Sequence, residues 1–281
     1  MIGIGGLGPG PDGQQNWHER LFLPIIKFIH AGELDQTELN IVKANVREPA
    51  QVEGDFLALV ACNDVGARRL LSLLDEFALP DLAEVGEYIL QRSEEAMLEA
   101  VRRWPTGSWE SELWVDGYDQ PLRLQARLTL SHGGIHVDFA GSAGFVAKGI
   151  NVVKAYTDAY TSFGIRCLIG ADIPNNAGSL GVITIDAPEG SILNAPYPAA
   201  VTSRHIIGQM LPDVVFNCLR QARPGEVPAE GASCLWNLQL SGGRILPEYD
   251  AKNTLPHPRS SLTSFSTGGT GARPHLDGLS T

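Results

Sequence analysis

Two periodicities divide the chain. Through "GARRLLSLLDEFA" (66–78), Leu70, Leu71, Leu74 and Phe77 recur at the interval that places them on one helical face, predicting a helix. A second helix is predicted over 83–104, where Val85, Ile89, Met97, Val101 and Trp104 repeat near the same period. Glu84 and Glu87 near its start and Arg102-Arg103 near its end complement the helix dipole. Pro105 disfavours helical geometry at Trp104 and closes the segment.

The pattern then changes to period two. In "LRLQARLTL", Leu122, Leu124, Ala126, Leu128 and Leu130 alternate with Arg123, Gln125, Arg127 and Thr129, a strand with one buried face. "SHGG" predicts a tight turn, and "IHVDF" alternates again through Ile135, Val137 and Phe139. A two-residue loop at His132-Gly133 pairs Leu130 with Ile135, Leu128 with Val137 and Ala126 with Phe139. All the apolar residues then share a face. The same register sets Arg127 opposite Asp138, so Asp138 reads either as a catalytic carboxylate or as half of a cross-strand ion pair.

The other segments are less regular. Residues 17–49 are mixed, with an apolar run from Leu21 to Ile29 broken by Pro24. Val153, Tyr156, Tyr160 and Phe163 predict a core helix after Gly149-Ile150-Asn151. The stretch from Ile173 to Pro198 reads as loop, strand and loop. A long helix is predicted over 202–222, N-capped by Thr202 or Ser203 and kinked at Pro212. From Pro224 onward Gly, Pro, Ser and Thr dominate, although "CLWNLQL" keeps strand character. The sum is an α+β fold, with mixed helices and a largely antiparallel β-sheet.

Composition narrows the function. The 281 residues carry a net charge of -11 and no basic run, which argues against nucleic acid as a partner. No apolar stretch is long enough for a membrane span, and no secretory signal is present, so a cytoplasmic location is expected. Four scattered cysteines form no C-x-x-C pair and read as reduced thiols. Gly3, Gly5 and Gly8 spell G-x-G-x-x-G, the dinucleotide fingerprint. With only Met1 and Ile2 before them and Pro9 and Pro11 after, the strand and helix that motif needs are missing, so NAD chemistry is rejected. A serine-hydrolase elbow G-x-S-x-G is also absent, and no cysteine has an activating neighbour.

Ten stretches in order carry a resemblance. They are "GIGGLGPGPDG", "HERLFLPIIKF", "IVKANVREPAQVEGDF", "QRSEEAMLEAV", "HVDFAGSAG", "KGINV", "DIPNNAGS", "APEGSILNAPYPAAV", "IIGQMLPDVVF" and "GGTGARPHLDGLS". Together they make the chain resemble the hydantoinase B/oxoprolinase family over essentially its whole length, with acetone-carboxylase subunits as more distant relatives. The resemblance implies ATP-dependent opening of a cyclic amide: a hydantoin, 5-oxoproline or a similar lactam. Phosphorylating the amide oxygen creates a leaving group, so water can attack. ATP would be bound by an A-type partner subunit in a hetero-oligomer, matching the lack of a phosphate loop here. A divalent metal is implied for the B-type part.

The resemblance also shows departures. Gly5-Gly6 match the family's opening motif, but Gly3 stands where an Asp is usual, and Met1 leaves no room for the upstream His. Glu19 matches, while Arg20 replaces a glycine. The metal ligands are therefore expected to be missing. The chain is expected to be one hydantoinase B/oxoprolinase domain over 1–281, a fragment of a larger subunit truncated at both ends and inactive alone. Matching positions give Glu19, Asn45, Arg47 and Asp138 as catalytic candidates, and Asn151, Asn175, Asn176 and Arg273 as substrate-binding ones. Asn45 and Arg47 suit a polar or carboxylate-bearing substrate, but equally suit loop-stapling hydrogen bonds. Asn151, Asn175 and Asn176 also suit turn capping. The alternative function is a non-catalytic or degenerate scaffold that binds an A-type partner.

Overall fold

The structure is a computed structural model that describes residues 2–3, 12–15, 20–46, 49–233, 235–242, 260–273 and 275–279. In chain order, β1 (Ile2–Gly3), β2 (Arg20–Leu21), β3 (Ile29–His30) and β4 (Glu33–Leu34) are short and lead into three helices. These are α1 (Gln36–Ala44), α2 (Pro49–Glu76) and α3 (Ala83–Arg102). Strands β5 (Gly107–Val115), β6 (Leu122–Ser131) and β7 (Gly134–Asp138) follow, then α4 (Lys154–Leu168), α5 (Ala177–Gly181) and β8 (Ile183–Asp186). The chain continues through α6 (His205–Gly208), α7 (Leu211–Ala222), β9 (Leu235–Gly242) and β10 (Ser260–Thr267).

The core forms around a four-stranded sheet of order β5-β6-β7-β8. The hairpin has the expected register, with Leu130 opposite Ile135, Leu128 opposite Val137 and Arg127 opposite Asp138. Leu122, Leu124, Ala126, Leu128 and Leu130 are all buried. Each buried leucine contributes about 2 kcal/mol of transfer free energy. Helix α7 lies over β5 and β6, and α4 packs on α7. Strand β8 joins β7 in parallel, which forces the chain between them into a crossover. Antiparallel pairs dominate the remaining sheets, so the fold is α+β as expected. No helix among the described residues is long and apolar enough to cross a membrane. Strand β1 pairs antiparallel with β2 and so does not start a parallel dinucleotide-binding unit.

Several expectations changed. The helix expected over 66–78 is the end of α2, which begins at Pro49, a first-turn position where the missing N–H costs nothing. Its Leu70, Leu71 and Phe77 are exposed. Helix α3 buries Met97 and Val101, with Trp104 buried just beyond its end, but leaves Val85 and Ile89 exposed. In α4 the buried residues are Thr157, Thr161, Gly164 and Ile165, while Phe163 is 59% exposed. Close packing on α7 explains this: a Cβ on Gly164 would lie 2.8 Å from the Pro212 Cα. Small residues must therefore face α7, and the aromatics line the flank, where Tyr156 and Tyr160 stack at 4.4 Å. The single helix expected over 202–222 is two, α6 and α7. Pro212 opens α7 instead of kinking a longer helix.

Helix α1 was not foreseen. Asp35 caps it, its Oδ1 accepting from the Thr37 and Glu38 amides at 2.9 and 3.1 Å.

Candidate functional site

The largest cavity among the described residues, about 740 Å³, is a groove walled by α4, α5 and β8. Its apolar lining comes from Phe163, Ile173, Leu180, Ile183 and Ile185. Polar groups come mostly from α4, where Lys154, Asp158 and Ser162 recur every fourth residue and so share a face. Lys154 Nζ and Asp158 Oδ1 pair at 2.5 Å. Asn175 adds an exposed amide at the start of the α5 turn.

Arg166 shapes one end of the groove. Its guanidinium donates to the Gly170 and Ile173 carbonyls, tying the turn after α4 in place. Its Nε is buried without a partner. Burial pulls its pKa below the ordinary value, although an arginine remains charged at neutral pH. Partial desolvation pushes the Cys167 thiol pKa up, leaving a poor nucleophile. An apolar floor with an ion pair, an arginine at one end and an exposed amide has the character of a site for a small polar molecule.

A second cavity of about 420 Å³ lies between β5, α6 and α7 and includes Asp213 and Glu230. Asp213 is 8% exposed. Burial, reinforced by Glu230 and opposed by Arg220, pushes its carboxyl up to about 6. A third grouping, His30, Asp35 and Glu38, brings one potential ligand atom from each within 4.8 Å of the others.

The residues expected from the sequence are dispersed. Glu19 and Arg47, with Gly5 and Gly6, lie outside the described residues. Asn45 caps the C-terminus of α1, exposed, with its Nδ2 donating to the Ile41 carbonyl at 2.7 Å. Asp138 ends β7, and its Oδ1 accepts from the Ala140 amide at 2.9 Å. The ion pair weighed for Asp138 goes elsewhere, since Arg127 meets Glu110 at 2.6 Å.

Asn151 is fully buried. It accepts from the Val146 amide at 2.8 Å and donates to the carbonyls of Val146, Lys148 and Ala200 at 2.7, 2.9 and 3.0 Å. Asn176 caps α5 and donates to Ser93 Oγ on α3 at 2.8 Å. Arg273 is exposed and donates to the Asp277 carbonyl at 3.2 Å. Of the eight, Asn175 is the one among the described residues that lines the groove. The sequence reading missed Lys154, Asp158 and Arg166. The polar four-residue spacing beside the aromatic stripe was the available signal.

Fold and groove together describe an α+β protein with a cleft beside an edge strand. The Hydantoinase B/oxoprolinase profile matches residues 1–281, and the chain belongs to that family. An uncharacterized protein of Methanocaldococcus jannaschii is 30% identical, the match covering 89% of this chain and 45% of that protein. The putative B subunit of a D-/L-hydantoinase from a Pseudomonas species is 28% identical over 86% of this chain and 44% of its own length. The chain thus spans under half the length of these curated relatives. The crystal structure of the ATP-dependent caprolactamase from Pseudomonas jessenii shares the fold, with TM-score 0.78 and 23% identity over 97% of this chain and 48% of that one.

Proposed function

We propose that the chain serves as the B-type part of an ATP-dependent cyclic amidohydrolase that opens a hydantoin, 5-oxoproline or related lactam ring. The observation that carries this reading is the family match over residues 1–281, supported by a relative named as a putative hydantoinase component. An unstrained lactam is a poor electrophile, and ATP overcomes this by converting the carbonyl oxygen into a phosphate leaving group. The A-type partner binds ATP in this scheme. The groove on this chain takes the ring, with Asn175 hydrogen-bonding its amide and the isoleucines of β8 excluding water from its carbon edge.

The divalent ion implied by the resemblance does not fit the described residues. The segment tied to it runs through Gly5, Gly6 and Glu19, outside them, and Gly3 replaces the expected carboxylate. His30, Asp35 and Glu38 lie outside the segment that the resemblance ties to the ion. No step is therefore derived through a metal.

The test is to co-express the chain with an A-type partner and measure lactam-dependent ADP release. ADP and the ring-opened acid should appear together, and only with both components. Uncoupled or absent turnover with hydantoin, 5-oxoproline and caprolactam alike would sink the proposal and favour a scaffold. Asn175→Ala should raise KM about tenfold with kcat little changed, the signature of lost ground-state binding.

A further inference from the structure

Helix α2 is 28 residues long, yet Val52 is its one buried residue. One side rests on α1 and the segment before it: Phe56 stacks near Phe28 at 4.9 Å, and Glu53 meets Lys43 at 2.5 Å. Another face carries Asp55, Leu59, Cys62, Gly66, Arg69 and Leu73, all exposed. Their spacing alternates four and three, the seam of a helix that winds against another helix.

We propose that this seam joins two copies of the chain as an antiparallel α2 pair, with the two-fold axis passing beside Cys62. The seam is complementary to itself about that point. Asp55 lies seven residues before Cys62 and Arg69 seven after. A two-fold at Cys62 therefore sets Asp55 of each copy against Arg69 of the other, roughly 10 Å to either side of the axis. Neither side chain has an ion-pair partner within the chain among the described residues, whereas Arg68 is already paired to Asp64 at 2.8 Å.

Between the charged ends, Leu59 of one copy, three residues from the axis, falls one residue, about 1.5 Å along the helix, from the level of Gly66 of the other, four residues from it. A Cβ on Gly66 would meet nothing within 4 Å, so the notch opposite Leu59 is open. Large against small, with cysteines at the centre, permits the close approach that a shallow antiparallel crossing requires. A parallel pair would instead oppose Asp55 to Asp55 and Arg69 to Arg69. The charge pattern thus selects both the partner, a second copy, and its direction.

A short bismaleimide cross-linker tests the arrangement on the whole chain. Wild-type protein should give a covalent dimer that Cys62→Ser removes. In the Cys62→Ser background, Asp55→Cys with Arg69→Cys should restore the dimer, and neither change alone should. Asp55→Arg should weaken dimerisation about tenfold by light scattering, and adding Arg69→Asp should recover it. Unchanged far-ultraviolet circular dichroism would show that each variant remains folded. A monomer with no Cys62-dependent cross-link overturns the proposal. Cross-linking through Asp55→Cys alone overturns the antiparallel direction.

Discussion

The β6–β7 hairpin and helix α2 carry apolar patterns of similar strength and meet opposite fates. On the hairpin, Leu124, Ala126, Leu128 and Val137 are fully buried against α7 and its neighbours. On α2, Leu57, Leu59, Leu70 and Leu71 remain exposed. Periodicity specifies which residues share a face. Burial also needs a second surface, and among the described residues α2 has one only on the side that rests on α1.

The largest effect expected from this contrast is at Leu128. Leu128→Ala should lower unfolding free energy by about 3–4 kcal/mol in urea denaturation, because a fully buried site cannot collapse around the gap. If the loss stays near that of a surface change, the sheet is not the centre of stability.

Asp213 is a buried carboxyl on the helix that covers the hairpin. Its pKa is raised from 3.8 to about 6, so the folded state binds the proton more tightly than the unfolded state does. Stability should be greatest below the unfolded value and fall as pH rises through about 6, by up to about 3 kcal/mol. Asp213→Asn should flatten that fall, and melting curves from pH 4 to 7.5 would show it. A wild-type curve that rises with pH across this window would refute the assignment.

Asn151→Ala comes next. It strips an amide that satisfies four backbone groups, for a loss of about 2 kcal/mol. Chemical denaturation would read it, and a negligible loss would free Asn151 for a role in binding. The smallest effect belongs to α2. Leu71→Ser should change stability by under about 0.5 kcal/mol, since the side chain is already in water. A large loss there would erase the contrast.

How much was legible in the sequence follows the same line. The hairpin could be read to the residue, because two alternating strands sharing a turn admit one register that keeps every apolar side chain inside. Helix α4 misled, because its buried residues are Thr157, Thr161, Gly164 and Ile165, with Gly164 close against Pro212 of α7 and Thr157 donating to the Leu193 carbonyl. Pro212 was recognised as a perturbation but its direction was not, since a proline that kinks a helix and one that opens it look alike without the preceding turn. The site was least legible. Asn175 lines the groove, but the groove is assembled from segments whose proximity depends on a crossover that no local pattern records.

That crossover has a consequence for how such a protein diversifies. Because β8 runs parallel to β7, the chain must leave one end of the sheet and return to the other, and α4 and α5 lie on the way. The groove is bounded by this excursion and by the outermost strand, while the buried alternating leucines of the core are different residues. Substitutions at Asp158, Ser162 or Asn175 can therefore reshape what is recognised without disturbing what holds the protein together. A single connection can thus vary in sequence while the scaffold stays the same.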